Sequence, residues 1–445
     1  MPHPEDLRQC ESNQKGDWVM KRTYLLLICL AIAAVLSACG GGGGSSDAVT
    51  ATGPIKIWYS DNAQEITWGK ATVKAWNQDH PKEKVTGQEI PAGETSEAVI
   101  QAAITAGNAP CLVWNVAPAA VPQFQRAGGL VPLDSFEGGV KYARERTGDR
   151  VDQYFSPDGK LYQLPWKSNP VMIIYNKKLF EEAGLDPENP ELATYDEFRQ
   201  SAETLNSELG IAPIWPSADQ TFFQAWFDYY PTFIAATGGD QLVENGKAQF
   251  DSETGLDVGE FWRSMYEAGL IPQESSQVDA FAEEKSAMNI AGPWAVAVYT
   301  DLDWDVVPVP TPDGKSPEDI YTFSDAKNVS IFSACKNQKT AFEYMKFATS
   351  EENDRRFLEM TGQMPLREGL EEEYADFFEE NPLYAKFAEQ ASRTVEVPNV
   401  ENSVQMWQRF RNAYSESVIF GKEPVDKAFA AAAKDIEELV KGHGR

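Results

Sequence analysis

The stretch IKIWYSDNAQEITWGKATVKAWNQD, residues 55–79, sets the pattern that the rest of the chain repeats. Its first six residues are typical of a buried strand, and the apolar residues that follow recur at helical spacing. A second predicted helix over residues 94–107 leads to a second buried strand, CLVWNV, at residues 111–116. This β-α-β alternation predicts a parallel sheet that helices cover on both faces.

The same alternation continues along the chain. TYDEFRQSAETLNSEL, residues 194–209, predicts a helix that Thr194 caps and in which Glu197 completes a capping box. From Ser350 onward the pattern is mostly helical. Short strands are predicted at PVMIIYN (170–176), AMNIAG (287–292), WDVVPVP (304–310) and NVSIFS (328–333). No period of 20 to 50 residues recurs, which excludes a solenoid.

The amino-terminal region has the pattern of a secretory leader. MKR at residues 20–22 is a short basic start, and about fourteen apolar residues follow it. That run is too short to span a membrane, which takes roughly 20 residues. LSAC, residues 36–39, resembles the bacterial lipobox, in which the cysteine receives a diacylglycerol and the chain is cut before it. We therefore expect lipidation at Cys39.

The leader and its tether are predicted to occupy the first 54 residues. Residues 1–38 are expected to be leader and signal peptide, with translation starting at Met20 because the preceding residues are polar and mixed in charge. Residues 39–54 combine the lipidated cysteine with a flexible Gly/Ser segment. The body of the protein would then lie outside the cytoplasm, in the periplasm or at the cell surface, held to the membrane by its lipid.

Composition limits the class of protein further. A formal net charge of −29 argues against nucleic acid, because affinity for phosphates depends on Lys and Arg. The roughly 400 residues after the leader predict two domains, or one large fold with two lobes. No later apolar run approaches the length of a membrane span. We expect a monomer.

After the leader, the chain has few of the residues that metal sites and histidine-based catalysis require. The histidines there are His80 and His443, and no Cys/His cluster has zinc spacing. We therefore expect no metal, no cofactor and no histidine-based catalysis, although a glycosidase with paired carboxylates stays open. Cys111 and Cys335 lie beside predicted strands, and in an exported protein they either form a disulfide or stay as two buried thiols.

Three stretches resemble the extracellular solute-binding proteins of ABC importers, in the sugar-binding group that includes maltose-binding protein. They are GKLYQLPWKSNPVMIIYNKKLFEEAGLDPENPELATYDEF (159–198), FAEEKSAMNIAGPWAV (281–296) and TGQMPLRE (361–368). Each stretch alone is a weak signal, but they occur in the family's order behind a lipobox. One departure is Glu284, where the family has a glycine before the lysine. The resemblance runs over nearly the whole chain after the leader.

The resemblance implies a periplasmic-binding-protein type II fold, an α/β architecture of two lobes. Each lobe would be a sheet flanked by helices, with a ligand cleft between the lobes. The first lobe is predicted from residues 55–166 plus 325–355, and the second from residues 168–322 plus 356–445. The implied function is to bind a carbohydrate, close by a hinge motion and deliver the ligand to an ABC permease. Such a receptor is not an enzyme.

Sugars present apolar C–H faces and polar hydroxyl edges, so a sugar site needs aromatic rings and planar hydrogen-bonding groups. The resemblance places a stacking ring at Trp294, which follows Gly-Pro, although that indole could instead pack the lobe. PNVENSVQMWQRFRNAY, residues 398–414, resembles a later family segment and makes Trp407 a candidate; a core aromatic is the alternative. Asn169, with Trp166 beside it, falls where the family crosses between lobes and is a candidate hydrogen-bonding ligand.

The unusually aromatic stretch FFQAWFDYY, residues 222–230, supplies further candidates. If it faces an open cleft, Trp226, Asp228 and Tyr230 contact the ligand. If it is a helix with rings on all sides, it is deeply buried.

Three more candidates come from strand ends and from the last motif. Asp61 and Asn62 follow the first predicted strand, at the end where ligands of open α/β sheets gather. Arg367 could reach sugar hydroxyls or hold a carboxylate elsewhere in the protein.

The second strand departs from the maltose-type pattern. The relatives carry a Trp and an Asp-Arg pair after it, whereas this chain reads WNVAPAAVPQF, with Trp114 shifted by one position and Pro118-Ala119 in place of the charged pair. A different oligosaccharide from maltose is therefore expected. Two rival functions stay open: a receptor of the same fold for a polyamine or a glycerophosphodiester, and a carbohydrate-active enzyme.

Overall fold

The computed structural model of the protein describes residues 45–60, 62–93 and 95–441. The described residues from Ala48 onward form one compact unit. The strands are β1 (Ile55–Trp58), β2 (Val85–Gln88), β3 (Leu112–Val116), β4 (Leu130–Val131), β5 (Leu164–Lys167), β6 (Met172–Asn176), β7 (Ala212–Ile214), β8 (Val243–Glu244), β9 (Lys247–Ala248), β10 (Ser286–Ala291), β11 (Trp304–Val307), β12 (Thr322–Phe323), β13 (Lys327–Phe332) and β14 (Thr394–Val395).

Helices alternate with these strands and dominate the last part of the chain. The α-helices are Ser45–Thr50, Ala63–Asp79, Ser96–Thr105, Val121–Arg126, Gly139–Thr147, Lys177–Glu182, Tyr195–Leu209, Tyr229–Thr237, Glu253–Glu267, Trp294–Val298, Gln338–Ala348, Glu351–Thr361, Leu370–Glu373, Ala375–Glu380, Pro382–Ala391, Ser403–Tyr414 and Val425–Val440. No helix among the described residues is long and apolar enough to cross a membrane. The predicted leader, the predicted lipidation site Cys39, the first part of the tether (residues 39–44) and Asp61 lie outside the described residues.

The first sheet has the strand order β2-β1-β3-β13-β4, with β5 paired to β13. β1 pairs in parallel with β2 and β3, which confirms the predicted β-α-β alternation. β13 runs antiparallel to β3, β4 and β5, so the sheet is mixed rather than parallel throughout. The reason is that the chain reaches β13 from the other sheet and not through a helical crossover.

The second sheet has the order β11-β6-β10-β7, in which β10 is antiparallel to β6 and parallel to β7. The helix Tyr195–Leu209 between β6 and β7 forms as its sequence predicts. The Thr194 hydroxyl accepts a 3.1 Å hydrogen bond from the Glu197 amide, and the Glu197 carboxylate accepts one of 2.9 Å from the Thr194 amide. This capping box fixes where the helix begins.

Separate hydrophobic cores form around the two sheets. The core of the first sheet includes Trp68, Trp114 and Trp166, whose rings lie 4.9 to 5.3 Å apart between centroids. The core on one side of the second sheet includes Trp262 and Trp407. The architecture is therefore an α/β fold of two main sheets, each flanked by helices and each with its own core. β12 and β14 form a parallel pair apart from these sheets, and β8 and β9 form an antiparallel pair.

The chain passes from one sheet to the other at neighbouring places. The segment between β5 and β6 lies against the segment before β13 and against residues 363–364. The Ser168 amide donates to the Met364 carbonyl (2.9 Å), the Asn169 amide donates to the Ser324 carbonyl (2.6 Å), and the Ser168 and Ser324 hydroxyls are 2.7 Å apart. These hydrogen bonds hold the crossing segments side by side.

The departure at Glu284 has a conformational consequence. Its φ is +52°, the left-handed region that glycine adopts at little cost and other residues adopt rarely. Its carboxylate lies 3.1 Å from the Lys178 ammonium. The chain therefore keeps the backbone conformation that favours glycine at this position.

Cys111 and Cys335 form a disulfide, which answers the alternative that the sequence left open. The bond joins residues 224 positions apart, so it closes a long loop of the unfolded chain. Since such a cross-link acts mainly by restricting the unfolded state, the gain is of the order of 2–5 kcal/mol.

We predict that the double variant Cys111→Ala/Cys335→Ala loses about 2–5 kcal/mol of unfolding free energy under oxidising conditions. Guanidinium chloride unfolding of variant and wild type, each with and without reductant, measures the difference. Reductant should bring the wild type close to the variant and leave the variant unchanged. Equal stability of the two proteins without reductant would contradict the prediction.

Candidate functional site

A cavity of about 380 Å³ lies where elements of the two sheets face each other. The first sheet contributes the end of β3, the start of β13 and the first turn of the helix Ser96–Thr105, and the other side comes from the aromatic stretch. The lining residues are Thr95, Ser96, Glu97, Asn115, Ala117, Thr221, Phe222, Phe223, Trp226, Phe227, Asp325 and Lys327. Aromatic, acidic, amide and ammonium groups therefore share one space, which is the composition of a small-molecule site.

The aromatic stretch is not one continuous helix. A 3-10 turn covers Gln224–Phe227, and the helix Tyr229–Thr237 begins after it, with Asp228 as N-cap. This break separates the rings into two sets. Phe223 and Phe227 are half-buried and line the cavity, and the predicted candidate Trp226 also lines it although it is only 3% exposed. Tyr230 is 0% exposed and does not line the cavity.

Trp294 is half-buried and its ring lies 6.2 Å from the ring of Phe227, edge to face. Gly292 makes this position possible, because a Cβ atom there would lie 2.2 Å from the indole. Pro293 then caps the short helix that Trp294 opens. The Gly-Pro-Trp sequence thus sets the indole beside a ring that lines the cavity.

The charged part of the wall is a salt bridge. The Lys327 ammonium lies 2.7 Å from the Asp325 carboxylate and 5.7 Å from the centre of the Trp226 ring. Burial lowers the pKa of Lys327, but the charge of Asp325 and the hydrogen bond to it raise it more, so the ammonium stays charged. Trp226 therefore supports a fixed cation.

Two residues of the wall have unusual backbone conformations. Asn115 and Asp325 have φ values of +65° and +37°, although neither is glycine. Such conformations cost of order 1–3 kcal/mol and cluster at functional sites. Their occurrence together at one cavity marks it as the candidate site.

Several residues predicted from the sequence lie behind this wall. Trp166 packs between Trp68 and Trp114 in the core of the first sheet. Trp407 is fully buried, with its ring 5.5 Å from Trp226 and 4.9 Å from Tyr230. Trp407 therefore packs against Trp226, a ring that lines the cavity, whereas the ring contacts of Trp166 stay within the core of the first sheet.

Asp228 and Tyr230 make internal hydrogen bonds. Asp228 accepts a 2.9 Å hydrogen bond from the Gln224 amide, and burial raises its pKa to about 7. The Tyr230 hydroxyl donates to the Glu396 carbonyl at 2.8 Å. Both side chains are fully buried and hold the aromatic stretch in place.

The other candidates lie at helix ends and crossings. The Asn62 side chain caps the helix Ala63–Asp79, at 2.9 Å from the Gln64 amide. The buried Asn169 amide donates to Gln363 at 3.3 Å, beside the crossing. Arg367 lies 3.1 Å from the Asp354 carboxylate, in agreement with the alternative of an internal partner.

The sequence did not point to Phe223, Phe227, Asn115, Asp325 or Lys327. One usable signal was the position of Lys327 at the start of a strand. Because β13 is antiparallel to β3, its first residues lie at the carboxyl end of β3, where ligands gather. No sequence signal indicated the left-handed backbone conformations of Asn115 and Asp325.

Glu396 is a buried acid beside the cavity wall. Its carboxyl accepts hydrogen bonds from the Val397 amide (2.8 Å) and the Tyr154 hydroxyl (3.3 Å). Burial raises its pKa to about 8, and the nearby Lys327 offsets this only in part. The folded state therefore holds this proton more tightly than the unfolded state, in which the pKa is near 4.5.

We predict that wild-type stability falls as pH rises from about 5 to 8, because the unfolded chain ionises Glu396 before the folded chain does. Glu396→Gln should flatten this slope and stabilise the protein at pH 8. Thermal melts across that range measure it, with the exposed Glu379→Gln as the matched control. Parallel melting curves of Glu396→Gln and wild type would contradict the assignment.

A cleft between two sheet-and-helix bodies, lined by aromatic and polar groups, defines a two-lobed ligand-binding protein. A model of the family described as "bacterial extracellular solute-binding protein" matches residues 71–386. The chain belongs to this family, whose members bind solutes outside the cytoplasm. Among the described residues, no group of three or more His, Cys, Asp or Glu could hold a metal ion.

Relatives and solved structures are consistent with this assignment. The maltodextrin-binding protein MdxE of Bacillus subtilis is 25% identical over 76% of this chain and 78% of its own length. The diacetylchitobiose binding protein DasA of Streptomyces coelicolor is 23% identical over 86% and 88%. The fold is similar to that of the cyclic alpha-maltosyl-1,6-maltose binding protein of Arthrobacter globiformis, with a TM-score of 0.74 and 20% identity over 88% of this chain and 99% of that chain.

Proposed function

We propose that the protein is an extracytoplasmic receptor that binds a carbohydrate between its lobes and delivers it to an ABC permease. The observation that carries the proposal is the cavity in which Phe223 and Phe227 lie beside fixed polar groups, with Trp294 behind them. Half-buried rings suit the C–H faces of sugars, and the side chains of Asn115 and Asp325 suit their hydroxyls. The names of MdxE and DasA, both carbohydrate-binding proteins, support this ligand class.

The lobes are proposed to follow the predicted division, residues 55–166 plus 325–355 and residues 168–322 plus 356–445. The hydrogen-bonded crossing segments between them would act as the hinge. A ligand that touches both sides of the cavity would favour the closed state, because only there are all its contacts made. The receptor would act by binding and not by catalysis.

Tryptophan fluorescence and melting temperature of the purified full chain, measured against a panel of oligosaccharides, test the proposal. Polyamines and glycerophosphodiesters serve as controls, and chromatography of the sugar after incubation tests for turnover. A saturable response to one sugar family without consumption of the sugar is expected. Consumption of the sugar would indicate a carbohydrate-active enzyme, and a response only to the controls would indicate another solute.

We predict that Trp294→Ala weakens binding of the responding sugar at least tenfold, about 1.4 kcal/mol, with little change in melting temperature. Trp407→Ala is the contrasting variant, because removal of a fully buried indole costs about 3–5 kcal/mol of stability. Titration calorimetry and thermal melts of both variants separate the two roles. Wild-type affinity in Trp294→Ala would assign that indole to packing.

The proposed membrane attachment depends on Cys39. We predict that protein extracted from membranes of the source cell begins at residue 39 and carries added acyl mass. Intact mass spectrometry measures this directly, and Cys39→Ala should release the protein from the membrane fraction. A mature chain without added acyl groups would contradict the anchor while leaving the sugar site untouched.

A further inference from the structure

A groove of about 630 Å³ continues the cavity and is more open to solvent. The cavity and the groove share Thr95, Glu97 and Phe222 as lining residues. The cavity and the groove therefore adjoin each other at these residues. A molecule that occupies the cavity has the groove next to it, on the other side of these residues.

The walls of the groove are mainly apolar. Ala98 and Ala102 lie one turn apart on the helix Ser96–Thr105, and both are exposed. Opposite them are the buried Phe124 and the half-buried Val404, which packs against the same cluster. The groove therefore offers carbon surface on both sides.

The polar character of the space changes along its length. The cavity contains the salt bridge of Asp325 and Lys327, whereas Glu97, at the junction, is the one charged side chain among the described residues that line the groove. The Gln101 side-chain NH2 donates to the Thr105 hydroxyl, which in turn donates to the Gln101 main-chain carbonyl, whereas the Gln101 side-chain oxygen accepts no hydrogen bond from the described residues. Apart from that oxygen, Thr95, Gln123 and Glu97, ligand hydroxyls in the groove would meet carbon surface, against which an apolar group would gain about 25 cal/mol for each Å² buried.

We propose that the ligand is a carbohydrate that carries an apolar substituent, such as an aryl or alkyl aglycone, and that this substituent occupies the groove. The inference rests on the proposed function, since the sugar part is assigned to the cavity. The groove adds a second requirement for the ligand, namely an apolar substituent on the sugar. Selectivity among glycosides of one sugar then comes from Ala98, Ala102, Phe124 and Val404 rather than from the rings of the cavity.

The test compares the methyl and phenyl glycosides of the sugar that gives the strongest response in the panel. Titration calorimetry with the full chain measures both dissociation constants. We expect the phenyl glycoside to bind at least tenfold more tightly than the methyl glycoside. A more negative heat capacity change for the phenyl glycoside should accompany this difference, because more apolar surface is buried.

Ala102→Asp places a carboxylate in the groove and leaves the cavity unchanged. The matched control is Ala431→Asp, an exposed alanine on the helix Val425–Val440 that receives the same charge and the same loss of helix propensity. We expect Ala102→Asp to remove the advantage of the phenyl glycoside and to keep methyl-glycoside binding within twofold of wild type. The control should keep both affinities.

Other results would overturn the inference in distinguishable ways. Equal binding of the two glycosides by the wild type would show that the groove takes no part of the ligand, with the proposed function intact. If Ala102→Asp weakened the binding of both glycosides equally, the walls of the groove would contact each other in the bound state, and no substituent would lie between them. A protein that binds no carbohydrate of the panel would contradict the proposed function, and the inference with it.

Discussion

A buried ion pair between Lys167 and Glu65 joins the first sheet to the segments that cross to the second sheet. Glu65 belongs to the first helix after β1, and Lys167 ends β5 just before the chain crosses to the second sheet. Gln363, from a later crossing, accepts from the Lys167 ammonium (2.6 Å) and donates to the Glu65 carboxylate (2.6 Å). Burial lowers the pKa of Lys167, and Glu65 opposes that shift. Because loss of either partner would leave a buried charge unpaired, these segments are held in one arrangement.

Two layers of rings form one wall of the cavity. Trp407 and Tyr230 are fully buried and hold Trp226 from behind, while Trp226 supports the Lys327 ammonium on the cavity side. Phe227, next in the chain, reaches the cavity itself. The buried rings fix the positions of the exposed groups, so little side-chain freedom would be lost on binding.

Local signals allowed much of the fold to be predicted. The capping box at Thr194 and the alternation around β1 depend on neighbours in sequence, and both form as expected. Which rings of FFQAWFDYY face the cavity depends instead on where a 3-10 turn gives way to a helix at Asp228, and no periodicity encodes that point. The sequence places Lys327 at the start of a strand, but the antiparallel direction of β13, which brings Lys327 to the carboxyl end of β3, depends on a return between sheets that no local signal encodes.

The charged groups of the cavity wall also restrict the charge of the ligand. The cation of the cavity is already matched by Asp325, and Glu97 adds a further carboxylate at the junction with the groove. An anionic ligand would therefore meet a negative surface at short range and a chain of net charge −29 at long range, the latter weakened by salt. A neutral ligand avoids both costs, and its affinity must come from ring contact, hydrogen bonds and buried apolar surface. In the proposed binding mode, the rings of the cavity would supply ring contact and the alanines of the adjoining groove would supply apolar surface.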